Sequence, residues 1–262
     1  MSAGAAQPHV CEFRFYEELN DYLPAERRKR SFTRVVTGTP SVKDAIEALG
    51  VPHTDIDLIL VNGRSVRWDC KLRGGERIAV YPMFERFDIT PLLRLRPKPL
   101  REPRFVADVH LGTLARYLRL LGFDTRYGND LTDAELALLT AHGRRVLLTR
   151  DVGLLKRKSV VRGHWLRSRD PEEQLEEVVA ALQLQRALRP FTRCMGCNGC
   201  LAPIVRLAVR GAVPDRVYRR FRAFVRCRRC RRIYWRGTHF QRLQRLVAKM
   251  RSVQAVPRSL CG

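Results

Sequence analysis

Acidic residues are scarce where the chain is most basic. Among 262 residues there are 26 Asp and Glu against 50 Lys and Arg, a formal net charge of +24. Past residue 190 the single acid is Asp215, set against 18 basic groups. Lysine is scarce as well, 7 against 43 arginines. A compositional bias accounts for the choice of arginine over lysine, but not for the loss of the acids. No run approaches the ~18 consecutive apolar residues of a membrane helix, which argues against that class. Residues 1–8 (MSAGAAQP) lack the basic start and apolar core of a secretory signal, so a cytoplasmic protein without membrane attachment is expected. With 45% hydrophobic residues the chain can bury a core, so bulk disorder is not expected.

The basic excess is uneven. Residues 1–100 carry +3, residues 101–190 carry +4 and residues 191–262 carry +17. Such a field attracts a polyanion, and nucleic acid is the commonest one in a cytoplasm. Five of the eight cysteines fall between residues 194 and 230, in this same segment. Clustered cysteines without a secretory signal read as metal ligands rather than disulfides. Cys194-Met-Gly-Cys197 and Cys227-Arg-Arg-Cys230 supply four thiolates in two C-x-x-C pairs, the pattern of a structural Zn²⁺. Cys200 offers a competing ligand. Cys11, Cys70 and Cys261 have no partner motif and read as ordinary thiols.

A closed four-cysteine site would support the arginine-rich surface around it: Arg219, Arg220, Arg222, Arg226, Arg228, Arg229, Arg231, Arg232 and Arg236. Tyr234 and Trp235 lie among these, while Phe221 and Phe224 read as the ribbon's small core. Cations interleaved with aromatics suit single-stranded nucleic acid, where phosphates pair and bases stack.

Residues 1–90 read as a small α+β sheet. Residues 10–16 form a strand, and Ser41 caps a helix ended by Gly50. Asn62-Gly63 marks a hairpin between residues 57–61 and a strand over 65–68, and 77–82 form the last strand. Val61-Asn-Gly-Arg64 and Gly74-Gly-Glu-Arg-Ile-Ala-Val-Tyr-Pro82 resemble ubiquitin-like β-grasp domains of the sulfur-carrier type. Such carriers act through a terminal Gly-Gly. Here Gly74-Gly75 is internal and reads as a turn, so a docking module is expected rather than a sulfur carrier. Residues 91–104, with four prolines, read as a linker.

Residues 105–190 alternate strand and helix with short connections, the signature of a parallel three-layer α/β domain. Strands are expected at 105–107, 123–127, 145–149 and 164–167. Helices are expected at 111–121, from the Thr132 capping box to His142, at 152–157, and from the Asp170-Pro cap to Leu184. Ligand sites in such sheets form outside the carboxyl ends of the strands. Asp108, Asp130 and Asp151 follow three of those strands, with Asp133 and Glu135 in the next helical turn. Carboxylates are hard oxygen ligands suited to Mg²⁺ or Mn²⁺. The helix dipole accounts for Asp133, and the capping box for Glu135. Asp124 reads as a surface strand residue and His110 as a packing residue. Arg116, Arg119 and Arg150 are placed to meet phosphates, with a solvated helix face as the alternative for the first two.

Phe105-Val-Ala-Asp-Val-His-Leu-Gly112, Tyr127-Gly-Asn-Asp130, Asp133-Ala-Glu-Leu136 and Leu147-Leu-Thr-Arg-Asp151 together resemble the Mut-seven C-terminal ribonuclease family over residues 103–246. The resemblance implies a PIN-like nuclease domain fused to a zinc ribbon, with a ubiquitin-like domain in front. It implies an acidic catalytic site at Asp108, Asp130 and/or Asp133, and Asp151, working with Mg²⁺ or Mn²⁺. It favours Cys194, Cys197, Cys227 and Cys230 over Cys200 as zinc ligands. Trp235-Arg-Gly-Thr-His239 matches the family's closing motif.

The expected layout is thus a docking domain (1–90), a linker (91–104), a nuclease domain (105–190), a zinc ribbon with a basic helix (191–250) and a tail (251–262). The expected activity is metal-dependent hydrolysis of RNA. RNA contacts are expected from Arg116, Arg119, Arg150, Arg228, Arg229, Arg231, Arg232, Trp235 and His239. A protein partner is expected at the docking domain. The alternative is a non-catalytic RNA-binding or ribosome-associated adaptor.

Overall fold

The structure is a computed structural model that describes residues 8–82, 95, 102–141 and 144–253. Most of the expected linker and residues 254–262 of the expected tail lie outside the described residues. So do His142 and Gly143, where the third helix was expected to end.

The N-terminal sheet has five strands: β1 (Pro8–Phe15), β2 (Phe32–Thr37), β3 (Ile56–Val61), β4 (Arg64–Ser65) and β5 (Arg77–Pro82). Their order is β2-β1-β5-β3-β4, with β1 and β5 parallel and the other pairs antiparallel. Helix α1 (Val42–Glu47) starts at Ser41, whose hydroxyl accepts the Asp44 N–H. This is the expected β-grasp arrangement. Alternation along β1 buries Cys11, Phe13 and Phe15 against Ile78 and Val80 of β5 and Val42 and Ile46 of α1. Each fully buried phenylalanine contributes roughly 1.5–3 kcal/mol.

Asn62 and Gly63 both have positive φ, 50° and 79°, as a tight hairpin turn requires. Gly74 and Gly75, at φ 110° and 82°, also form a turn, and the Gly75 N–H donates to Val10 O at 2.7 Å. The expected strand at 65–68 is reduced to Arg64–Ser65. Trp68 packs on the core from the following turn.

The next stretch runs β6 (Arg104–Ala107), α2 (Gly112–Leu120), β7 (Asp124–Arg126), α3 (Asp133–Thr140), β8 (Val146–Thr149), α4 (Val152–Leu155), β9 (Gly163–Trp165) and α5 (Pro171–Ala181). Strand β6 pairs in parallel with β7 on one side and β8 on the other. All four residues of β8 are buried, as in a parallel sheet covered on both faces. The Thr132–Glu135 capping box forms as expected at the start of α3. Helix α5 ends before the expected Leu184: Gln183 turns left-handed at φ 50° and a short 3-10 turn follows.

The ribbon contains β10 (Leu201–Ile204), α6 (Asp215–Arg220), β11 (Phe224–Cys227) and β12 (Ile233–Trp235), and ends in α7 (Thr238–Ser252). Strands β10, β11 and β12 form an antiparallel sheet. Helix α7 is more than a basic appendage. Its Leu246, Val247 and Met250 are buried with Leu118 of α2 and Leu175 and Val178 of α5, closing the core under β6 and β8.

The chain divides into two compact units. One comprises residues 1–99 and 151–165, and the other residues 100–150 and 166–262. In the first, His53 bridges Glu47 Oε1 at 2.7 Å and Val160 O at 2.9 Å, and the Tyr22 ring meets Trp165 at 4.8 Å. Among the described residues no helix is long and apolar enough to cross a membrane.

Candidate metal and nucleic-acid sites

The two C-x-x-C turns bring their sulfurs together. Cys194 Sγ lies 3.7 Å from Cys230 Sγ, and Cys197 Sγ lies 3.4 Å from Cys227 Sγ. All four Sγ atoms fall within 4.8 Å of one another. Zn–S bonds of ~2.3 Å set tetrahedral S–S edges of about 3.8 Å, so the cluster fits Zn²⁺. The N–H of Cys197 approaches Cys194 Sγ at 3.5 Å, and those of Arg229 and Cys230 approach Cys227 Sγ at 3.4 Å. Cys200 is exposed and outside the cluster, which leaves the four expected ligands.

Burial opposes ionisation of Cys194, but the Tyr234 hydroxyl and the N–H groups of Cys197 and Gly196 outweigh it and bring the thiol down to about 6. Cys197 moves up instead, through burial and the nearby Cys230, Cys227 and Cys194. Four thiolates this close together need a cation.

The first knuckle is tied to the parallel sheet by polar contacts. Arg119, 5% exposed, donates to Thr125 O at 3.0 Å and to Met195 O and Gly196 O at 3.1 and 3.0 Å. Asn198 accepts the Thr125 N–H at 3.1 Å and donates to Asp124 Oδ1 at 2.8 Å. Asp124 also receives both arms of Arg145, at 3.0 and 3.1 Å. Burial alone would raise the Asp124 carboxyl pKa; the hydrogen bonds from Arg145 and Asn198 and the Arg145 charge leave it lowered. Arg193 Nε donates to Gly122 O at 3.1 Å. Gly122 itself has φ 97°, and a Cβ there would meet Arg189 O at 2.2 Å.

Two expectations change here. Arg119, expected to contact RNA, gives its Nε and Nη1 to carbonyls inside the chain and so acts as a tether, while it also lines the cleft with Arg116. Asp124 is a half-buried ion-pair partner rather than a plain surface residue. One sequence signal marked Arg119: it stands four residues after buried Ala115, on the apolar face of α2.

Asp108 follows β6 directly. Its Oδ1 accepts the Val109 N–H at 2.6 Å and its Oδ2 accepts the Thr149 hydroxyl at 2.7 Å. The next two residues, Val109 and His110, line a cleft of about 440 Å³ together with Thr113, Arg116, Arg119, Tyr127 and Gly196. His110 is exposed, which corrects its expected packing role, and Arg116 is exposed too. Asp130 and Asp133 are exposed, the second in the first turn of α3. Asp151 lies in the first unit, where it accepts the Gly153 N–H at 2.7 Å at the start of α4. Arg150 is exposed. Among the described residues the cysteines are the one group of three or more metal-ligating side chains whose ligand atoms lie within 4.8 Å of one another.

On the ribbon, Arg228, Arg229, Arg231 and Arg232 are all exposed. Trp235 is half-buried against the small core of Val209, Val213 and Phe224, and Phe221 joins that core as expected. His239 is exposed in the first turn of α7.

A parallel sheet with an acid after its first strand, joined to a four-cysteine knuckle pair, matches a nuclease family. The family model described as Mut7-C RNAse domain matches residues 103–247, and that described as Mut7-C ubiquitin matches residues 9–88. The chain belongs to the Mut7-C RNAse domain family and carries that ubiquitin-like domain in front. A comparison with curated proteins gives no match. Among solved structures, the crystal structure of H. volcanii small archaeal modifier protein 1 is similar at 21% identity and a TM-score of 0.24, covering 29% of this chain and 99% of that one.

Proposed function

We propose that this protein is a divalent-metal-dependent ribonuclease of the PIN-like type that hydrolyses RNA phosphodiester bonds in the cytoplasm. In this reading residues 105–190 cut, the arginine-rich ribbon over 191–250 grips single-stranded RNA, and residues 1–90 dock a protein partner. The observation that carries it is the position of Asp108. It lies at the carboxyl end of a parallel strand, and the two residues that follow it, Val109 and His110, line a cleft with Arg116, in a chain of the Mut7-C RNAse family.

Mg²⁺ is ordinarily held by one or two carboxylates plus water and substrate phosphate, so Asp108 with Asp130 or Asp133 offers fitting donors without a preformed cage. Asp151 enters the proposal on its sequence motif alone. A bound Mg²⁺ or Mn²⁺ would supply a more acidic water and offset charge on the attacked phosphate. The chain's own residues fix the geometry. The Thr149 hydroxyl and the Val109 N–H hold the Asp108 carboxylate in one orientation, and Arg116 is placed to pair with phosphate.

The test is cleavage of a labelled single-stranded RNA by zinc-loaded protein, with and without Mn²⁺. Asp108→Asn is expected to lower the rate by more than ~100-fold, beyond the usual effect of disturbing a ligand's support. Full cleavage by both Asp108→Asn and Asp151→Asn would overturn the acidic site. The second reading is a non-catalytic RNA-binding adaptor, favoured by the exposed arginines of the ribbon, which need no acidic site. Tight, salt-sensitive binding with no metal-dependent cleavage would select it.

A further inference from the structure

The ribbon carries a cavity that neither the zinc site nor the acids use. It measures about 490 Å³ and is walled by strands β11 and β12, the start of α7 and the Phe191 segment. That volume lies in the range of small-ligand sites, about 300–1,000 Å³. Its walls are chiefly apolar and unusually aromatic, with Phe191, Tyr234, Trp235 and Phe240 all contributing. The Phe191 and Phe240 rings sit 4.8 Å apart. Phe191 holds φ 61°, a conformation that bulky residues rarely adopt.

The polar residues of the lining are informative. Arg193, Arg236 and His239 belong to it, and no acid does. The Arg236 guanidinium lies over the Phe240 ring at 5.5 Å. Helix α7 starts in this wall with Gly237 as its N-cap and no side-chain cap, so its open N–H groups add to the positive field. An apolar slot with aromatic faces and fixed cations suits a flat uncharged ring joined to an anion. A buried hydrophobic peptide would have no use for the cations, and the segment of +17 around the slot favours a polyanion.

We propose that this slot takes one unstacked nucleobase of a single-stranded RNA, stacked on Phe240 and its neighbours, with the adjoining phosphate met by Arg236. The inference rests on the RNA reading above and adds to it a base-dependent contact. Duplex RNA, whose bases are stacked and paired, would be excluded from the slot.

The test measures binding rather than cleavage, using the full zinc-loaded chain without added Mg²⁺ or Mn²⁺. The probes are a fluorescent single-stranded RNA oligomer and an oligomer of equal length built of abasic ribose phosphates. Both carry the same charge, so only the bases differ. The intact oligomer is expected to bind about 5- to 150-fold more tightly, the range for one stacked base. Phe240→Ala should remove that preference, by weakening the intact oligomer far more than the abasic one. Ala223→Trp, which fills the slot from an exposed lining position without deleting a contact, should do the same.

Equal binding of the two oligomers would overturn the base slot while leaving RNA binding intact. A preference that survives both variants would also overturn it, placing base contacts elsewhere and leaving the slot to another occupant such as an apolar peptide. Failure of both oligomers to bind would overturn the RNA reading itself, and the slot with it.

Discussion

The β-grasp sheet and the zinc ribbon are both small, yet they are held together in different ways. The first buries a continuous apolar core running from Cys11 and Phe13 through Ile46 and Ile59 to Val80. The second has a core of its own of only Val209, Val213 and Phe224, fringed by half-buried aromatics. The ribbon makes up the difference with four gathered thiols and with Arg119, Arg193 and Asn198, which fasten its first knuckle to α2 and β7. Small folds with little core commonly need such staples. Order in the first region follows from apolar burial. In the second it rests on a cysteine cluster that fits a metal and on a few polar contacts, so single changes there should have larger effects.

The largest effect is expected from Cys227→Ser or stripping of zinc. Apparent zinc-binding energies of roughly 10–16 kcal/mol in small domains are folding energies, so the ribbon should lose order while the β-grasp keeps its own unfolding transition. Far-UV dichroism during heating, read beside zinc release, would show this, and undiminished thermal stability of the ribbon would break the comparison.

Next in size is Arg119→Ala, which strands the buried Thr125 carbonyl and frees two part-buried ones at Met195 and Gly196, and should cost about 2 kcal/mol in urea unfolding. Arg119→Lys should recover little, because one ammonium cannot reproduce the planar fork. A cost under about 0.5 kcal/mol would show that the knuckle needs no tether.

Asp124 gives a pH signature. Its carboxyl is depressed in the folded state, so it adds stability that is fully present above its unfolded value near 3.9 and fades as pH falls through the lower folded value. The unit containing β7 should therefore weaken below about pH 4, and Asp124→Asn should flatten that slope. An unchanged acid profile in the variant would remove Asp124 from the account. The smallest effect is expected in the first region. Gly63→Ala, at φ 79° with open space around it, should cost about 1 kcal/mol through backbone strain alone.

Much of the fold was legible because its signals are local. Asn62-Gly63, the Ser41 cap and the Thr132–Glu135 box each act within four residues, and each forms as read. The two C-x-x-C pairs were equally plain, because the chemistry of a zinc site restricts both residue type and spacing. Cys200 could be set aside only by family resemblance or by coordinates, since spacing alone admits it.

What escaped the sequence is long-range and polar. Arg119 has the same formula as exposed Arg116; its place on the apolar face of α2 marks it as different, but only the carbonyls of Thr125, Met195 and Gly196 show what it holds. Asp124 gains its role from Arg145 and Asn198, which are far along the chain. His110 reads as a packing residue in the sequence, yet it is exposed on the 3-10 turn at Val109–Leu111.

The pairing of 151–165 with the first unit bears on inheritance. By sequence this segment falls inside the Mut7-C RNAse match, but its Val160 carbonyl and Trp165 ring are met by His53 and Tyr22 of the ubiquitin-like domain. Substitutions at Tyr22 and Trp165, whose rings meet, should therefore be selected jointly across an apparent domain border. A gene encoding only residues 103–247 would give a protein with these partners stripped away, expected to be less soluble and more easily proteolysed near Trp165 than the full chain. Limited digestion of the two side by side would show whether the two stretches have descended as one piece.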